Sequence, residues 1–325
     1  MLSAMLPGGA VTTHHPQRNP VPRWSPVPTR WANGSRSGRV GPKIGVAASL
    51  GGACATARAA RRRVARAAAA GSEFVIEGRG NVVVLAKEED VLAEVAAEVA
   101  SCASAAIEEK GAFSLCVPGG FGKADGQEPV SARLVGQSLQ MLVGEDVDFS
   151  KWHVFFTGER LDGQESFLLA KELWIDACGI PADQVHPVPQ IPSAEGAAAQ
   201  YTAEICMQEE TVLVDSEEGL PALDLLLLHV GPDGTVGRLK PNSSEIDEAG
   251  TGKVVLPIEE AGAEAAIVGP DFMNAARSAV LLATGSHSAQ AVQAALKKPS
   301  ASCPASLLRT QQMTWMLDSD CATLI

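Results

Sequence analysis

Residues 231–240 (GPDGTVGRLK) bring one carboxylate, Asp233, one hydroxyl, Thr235, and two cations, Arg238 and Lys240, into a turn built on Gly231, Pro232 and Gly234. Such a cluster can order a water molecule and face an anion, or it can be an ordinary exit from a strand. A second cluster is the glycine-rich stretch Gly119, Gly120, Gly122 with Lys123. Backbone amides in a glycine turn between strand and helix can converge on a phosphate, with the lysine adding charge, although many such turns bind nothing. The third is Glu159, Arg160 and Asp162. An arginine fork suits a carboxylate or a phosphate, so Arg160 is either a phosphate ligand or half of a surface ion pair with Glu159. His229 stands six residues before Thr235; His153, His186 and His287 lie elsewhere in the chain. The seven cysteines are scattered, odd in number and without a CxxC pair, which indicates neither a zinc site nor a disulfide framework. No metal and no cofactor are expected.

These clusters need a frame that brings them together. Residues 223–228 (LDLLLL) read as a strand buried on both faces, as in a parallel sheet. Residues 81–86 (NVVVLA), 112–117 (AFSLCV), 152–157 (WHVFFT), 278–284 (SAVLLAT) and 314–317 (TWML) read as further strands, with short extended pieces at 185–188, 253–257 and 265–268. Helices are predicted over 88–109, 129–142, 166–178, 195–208 and 288–296, with helical turns at 271–276 and 304–308. Strands alternating with helices imply right-handed crossovers and an α/β fold: a doubly wound, mostly parallel sheet with helices on both faces. Ligands of such sheets sit beyond the carboxyl ends of the strands, where all three clusters fall.

Charge divides the chain. Residues 1–72 hold no Asp or Glu and 11 of the 26 basic residues; all 38 acidic residues follow, so residues 73–325 carry a net −23. An acid-free, Arg-rich, Ser-containing leader has the pattern of an organelle transit peptide. The spread of Pro, Ser and Gly favours the plastid, with mitochondrion or cytoplasm as alternatives and cleavage near residues 67–71. Residues 1–72 are therefore expected to be a disordered transit peptide and residues 73–325 one domain. No apolar stretch is long enough to span a bilayer, so no membrane partner is expected. An acidic body argues against nucleic acid. A monomer is expected.

Taken in order, the segments resemble the 6-phosphogluconolactonase family of the glucosamine-6-phosphate isomerase/deaminase superfamily. The resemblance rests on VPGGFGK (117–123) against a strand ending in SGGSTP, and WHVFFTGER (152–160) against W-x-(VF)-F-x-G-D-E-R. It continues through VHP (185–187), residues 198–204 (ending AQYTAE, with Tyr201) against an A-x-x-Y-E helix, and residues 224–241 against D-L-x-L-L-G-M-G-x-D-G-H-T-x-S-L-F-P. N-x-A-R, V-T-G and W-x-x-D patches at 274–277, 283–285 and 315–318 close it. It spans roughly residues 74–324 and implies a Rossmann-like fold of the 6-phosphogluconolactonase type.

The resemblance implies a small-molecule partner, a sugar phosphate lactone, and hydrolysis of 6-phosphogluconolactone in the oxidative pentose phosphate pathway. It carries a phosphate-binding role onto Gly119, Gly120, Lys123 and Arg160, with Glu159, Gly231, Gly234 and Arg238 completing the site. The catalytic positions are Asp233 and Thr235, and Thr235 stands where the family has its general-base histidine. His229 is the possible substitute. Further departures are Phe121 and Gly122 for the SGGSTP hydroxyls, no basic residue in AAIVGP (265–270), and Ser288 where a lysine follows V-T-G. Three readings stay open: a lactonase with a rearranged and weakened site, a sugar-phosphate-binding relative without catalysis, and a glucosamine-6-phosphate deaminase/isomerase.

Overall fold

The computed structural model describes residues 70–118, 130–260 and 262–325. The leader up to residue 69 lies outside them, but residues 70–72 do not. Strand β1 (Ala70–Ile76) starts there and pairs antiparallel with β2 (Gly80–Leu85), turning through Gly78 and Gly80, both at positive φ. The folded body thus begins before the expected boundary at residue 73. Small, acid-free residues at 70–72 carry the leader's composition, so nothing in the sequence sets them apart until VVVL pairs with them.

Helix α1 (Glu88–Lys110) follows. It is alanine-rich, with Glu88, Glu89 and Asp90 in its first turn, Lys110 in its last, and Gly111 in the left-handed conformation to stop it. Then come β3 (Phe113–Val117), α2 (Val130–Gln140), β4 (Trp152–Phe156), β5 (Gly158–Arg160) and α3 (Glu165–Ala170). The helix predicted over 166–178 exists, but it loosens into a π turn at Lys171–Ile175 before a last turn at Asp176–Cys178. Next are β6 (Val185–His186), α4 (Ala194–Cys206), the short pair β7 (Val214–Asp215) and β8 (Pro221–Ala222), and β9 (Leu225–His229). The chain ends through β10 (Val255–Glu260), β11 (Ala263–Val268), α5 (Pro270–Ala275), β12 (Ser278–Ala283), α6 (Ala289–Lys297) and β13 (Gln312–Asp318).

Eight strands form the main sheet in the order β1-β2-β13-β12-β9-β3-β4-β6, and every pairing but β1–β2 is parallel. The sheet is covered on both faces, as its continuous apolar strands require. Leu225, Leu227, Val154, Phe156, Val280 and Leu282 pack with α1, α2 and α3, whereas Leu226, Leu228, Phe155, Leu281 and Trp315 pack with α4 and α6. A second sheet, β10-β11-β5, is antiparallel and lies with the α4 side. It recruits residues 158–160, which the sequence presents as a loop.

The amino-terminal ends of the strands are tied by buried charge. Asp224, just before β9, accepts from the Ser114 N–H (2.8 Å) and hydroxyl (2.9 Å), from Lys110 Nζ (2.9 Å) and from Arg277 Nη1 (3.3 Å). Among the described residues, no helix is long and apolar enough to cross a membrane.

Candidate functional site at the β3/β9 switch point

Strands β3 and β9 are neighbours, but their connections leave in opposite directions. From β3 the chain passes through α2 to β4 and β6; from β9 it goes to β12 and β13. Open α/β sheets hold ligands at such a reversal, beyond the carboxyl ends of the strands. The ends of β3, β4, β9 and β12 lie side by side there. Residues 119–129 follow the β3 exit, so Gly119, Gly120 and Lys123 lie outside the described residues.

The β9 exit is a tight double turn. The Gly231 N–H donates to the Thr235 carbonyl (2.9 Å), the Gly234 N–H donates to Gly231 (2.9 Å), and Val236 bridges to both Val230 and Leu239. Gly234 has φ +88°, and a Cβ there would fall 2.7 Å from Cys303 Sγ and 3.1 Å from Cys303 Cα. Only glycine fits. Asp233 is exposed, and its carboxylate accepts from the Thr235 N–H (2.9 Å) and hydroxyl (2.8 Å). The two catalytic candidates on this turn therefore hold each other. Arg238, expected to present its charge at the turn, is instead buried (8% exposed) with φ +73°. Val236, Gly237 and Leu239 around it are buried too, so the backbone carries it inward.

The β4 exit runs through Thr157, whose N–H donates to the Val117 carbonyl (2.9 Å) and whose carbonyl accepts from Val268 (2.8 Å). Glu159 and Arg160, adjacent in sequence, part company. Glu159 is 1% exposed and accepts from the Ser166 N–H (3.2 Å) and hydroxyl (2.9 Å), the Phe167 N–H (3.0 Å) and the Arg160 N–H (3.1 Å). Burial pushes its carboxyl above the usual range while these donors pull it back. It anchors the start of α3, while the Arg160 guanidinium turns to Asp162. That guanidinium forks onto Asp162, with Nε donating to Oδ1 (3.0 Å) and Nη2 to Oδ2. Arg160 lowers the Asp162 carboxyl below its ordinary value.

His229 ends β9 beside Leu282 of β12. It shares the sheet face of Leu225 and Leu227, toward α1 and α2. Its Nε2 is buried without a hydrogen-bond partner among the described residues. Burial pushes its pKa down to about 4; His287 and Arg133 act in the same direction and Glu88 against them. Glu88, at the start of α1, accepts from Arg133 Nη1 (2.8 Å) and Thr284 Oγ1 (2.8 Å). Arg133 holds the Glu88 carboxyl below its usual range. Glu88, Arg133 and Thr284 were not legible as site residues, because 45 and 196 residues separate Glu88 from its two partners.

The remaining histidines sit elsewhere. His287 is exposed in the turn after β12. His153, near the start of β4, meets His186 of β6 (Nδ1 to Nε2, 3.1 Å), and His186 Nδ1 lies 3.1 Å from Glu204. Tyr201 accepts from the Phe156 N–H (3.0 Å) and donates to the His186 carbonyl (3.1 Å), bracing the edge of the sheet. Among the described residues no group of three or more His, Cys, Asp or Glu is placed to hold a metal ion.

A family model described as glucosamine-6-phosphate isomerases/6-phosphogluconolactonase matches residues 86–316. "6-phosphogluconolactonase 3, chloroplastic" of Arabidopsis thaliana is 28% identical over 258 residues, covering 74% of each chain. Among solved structures, the 6-phosphogluconolactonase of Trypanosoma brucei superposes with a TM-score of 0.60 at 19% identity, covering 77% of this chain and 98% of its own. That of Thermotoga maritima gives 0.58 at 18%, covering 73% and 99%. The fold of those structures is the fold found here.

Proposed function

The chain belongs to the glucosamine-6-phosphate isomerase/6-phosphogluconolactonase family, and on that premise we propose that it is a lactone hydrolase converting 6-phosphogluconolactone to 6-phosphogluconate in the pentose phosphate pathway. One observation carries the reading: the turn with exposed Asp233 opens at the β3/β9 switch point, with Arg160 on the adjoining β4 exit. Water adds to the lactone carbonyl, the ring C–O bond breaks, and the water proton ends on the released hydroxyl. Catalysis requires holding the phosphate so that the carbonyl meets the water, accepting a proton, and steadying the oxyanion.

Arg160 is the phosphate ligand in this reading, joined by the amides of Gly119 and Gly120 and by Lys123. A body carrying −23 repels an anionic substrate, so a local basic pocket is needed. Asp233 and Thr235 position water at the mouth. Thr235 cannot replace an imidazole as base, so turnover slower than that of relatives with the histidine is expected. The acid-free leader and the chloroplastic names of relatives support a plastid location.

The test is turnover of 6-phosphogluconolactone by the full chain, measured against spontaneous ring opening. A rate equal to the spontaneous one, with 6-phosphogluconate still bound, would leave a sugar-phosphate-binding protein. Ammonia release from glucosamine 6-phosphate would move the chain to the deaminase branch.

A further inference from the structure

We propose that His229, at the carboxyl end of β9, is the base that takes the water proton in this hydrolysis. The proposal rests on the lactonase reading above and supplies the group that reading lacks. Asp233 spends its carboxylate on the two donors of Thr235, and Thr235 has no basic group. His153 and His186 are engaged with each other and Glu204 near the amino-terminal end of β4. His229 stands at the carboxyl end of β9, at the switch point of the sheet.

Its Nε2 is the telling atom. A buried nitrogen without a partner is costly, and strand packing alone is better served by an apolar residue, as Leu225 to Leu228 demonstrate. In the tautomer with its proton on Nδ1, this nitrogen is an unpaired acceptor for a water molecule that arrives with the substrate. Low solvation keeps the ring neutral, hence able to accept. Four neighbours matter. Glu88 from α1 favours the protonated ring, whereas Arg133 from α2 and His287 from the turn after β12 oppose it; Thr284 and Arg133 pin Glu88 in place. In the step itself, the water oxygen bonds to the carbonyl carbon as its proton passes to Nε2. When the ring C–O bond breaks, that proton leaves Nε2 for the departing ring oxygen, and the imidazole is neutral again.

The experiment compares full-length wild type, His229→Gln, His229→Asn and Glu88→Gln. The readouts are kcat against pH, 6-phosphogluconate affinity by calorimetry, and the thermal transition. Both His229 variants are expected to keep product affinity within about twofold and to lose about 10²–10⁴-fold in kcat, the usual range for a positioned base. Glu88→Gln should shift the acid limb of kcat to lower pH, since it removes the charge that favours the imidazolium. Wild-type turnover above the spontaneous rate that survives in His229→Gln would overturn the proposal alone. Loss of product binding and kcat together in both His229 variants would make the residue structural and also overturn it. Wild-type turnover no faster than spontaneous opening would sink the lactonase reading itself, and this proposal with it.

Discussion

Thr235 and Asp233 form a closed pair: one carboxylate accepts both donors of the following turn residue. The pair was visible in the sequence as DGT inside a glycine turn, because Asx geometry is local and needs only neighbours. An imidazole introduced at 235 would sit beside Asp233, and the turn would keep its path through Gly231 and Gly234. Thr235→His should therefore raise lactone turnover by up to about 10²-fold, part of the general-base range, while 6-phosphogluconate affinity stays the same. An unchanged rate would show that position 235 does not face the reacting carbonyl. Arg160 is a second residue-scale case. Its motif was legible, but its partner was not: Asp162, two residues on, holds the fork. Bound phosphate must compete with that carboxylate. Arg160→Ala should weaken 6-phosphogluconate binding by about 1–3 kcal/mol, the scale for a hydrogen bond to a charged group. Asp162→Asn should tighten it severalfold in calorimetry. Weaker binding in Asp162→Asn would mean that Asp162 serves to position the arginine.

At the scale of elements, the parallel strands announced themselves as apolar runs because both of their faces are buried. Strand β5 gave no such signal. Glu159 is buried in it, yet a glutamate between Gly and Arg reads as an exposed loop until Ser166 and Phe167 arrive to satisfy it. The π turn at Lys171–Ile175 was hidden for a similar reason, since its residues have ordinary helical periodicity. The β9 exit shows how far an element depends on one position. Gly234 has positive φ, and Cys303 occupies the space of its missing Cβ. The Gly234 carbonyl also accepts from Ala305 (3.1 Å), so a shift there is felt in the segment after α6. Gly234→Ala should lower stability by more than about 1 kcal/mol, the range for forcing a side chain into a positive-φ site, and should reduce lactone turnover more than it reduces product affinity. A variant with the wild-type urea midpoint would show that the turn relaxes freely.

The whole molecule couples an acidic body to a few buried bases, and this sets its response to acid. The sequence showed six histidines but not which of them would be desolvated. In the fold, burial pushes His153 down to about 4, with His186 and Lys110 acting the same way and Asp183 opposing; burial likewise pushes His229 to about 4. In the unfolded chain each titrates near 6.5. Between those values the unfolded chain binds more protons than the native one, so stability rises with pH across that window. The contribution is full above about pH 6.5, falls as the pH drops, and is lost once the pH passes below about 4. Carboxylates such as Glu88, held low by Arg133, add their own loss only further down, below the ordinary glutamate range. The urea midpoint should therefore be level from pH 8 to about 7 and decline steadily by pH 5. Both rings are pushed to about 4, so His229→Gln and His153→Gln should each flatten a similar part of that decline, and the double variant should flatten more than either. Equal midpoints at pH 7.5 and pH 5 in the wild type would show that both rings are solvated in the folded protein.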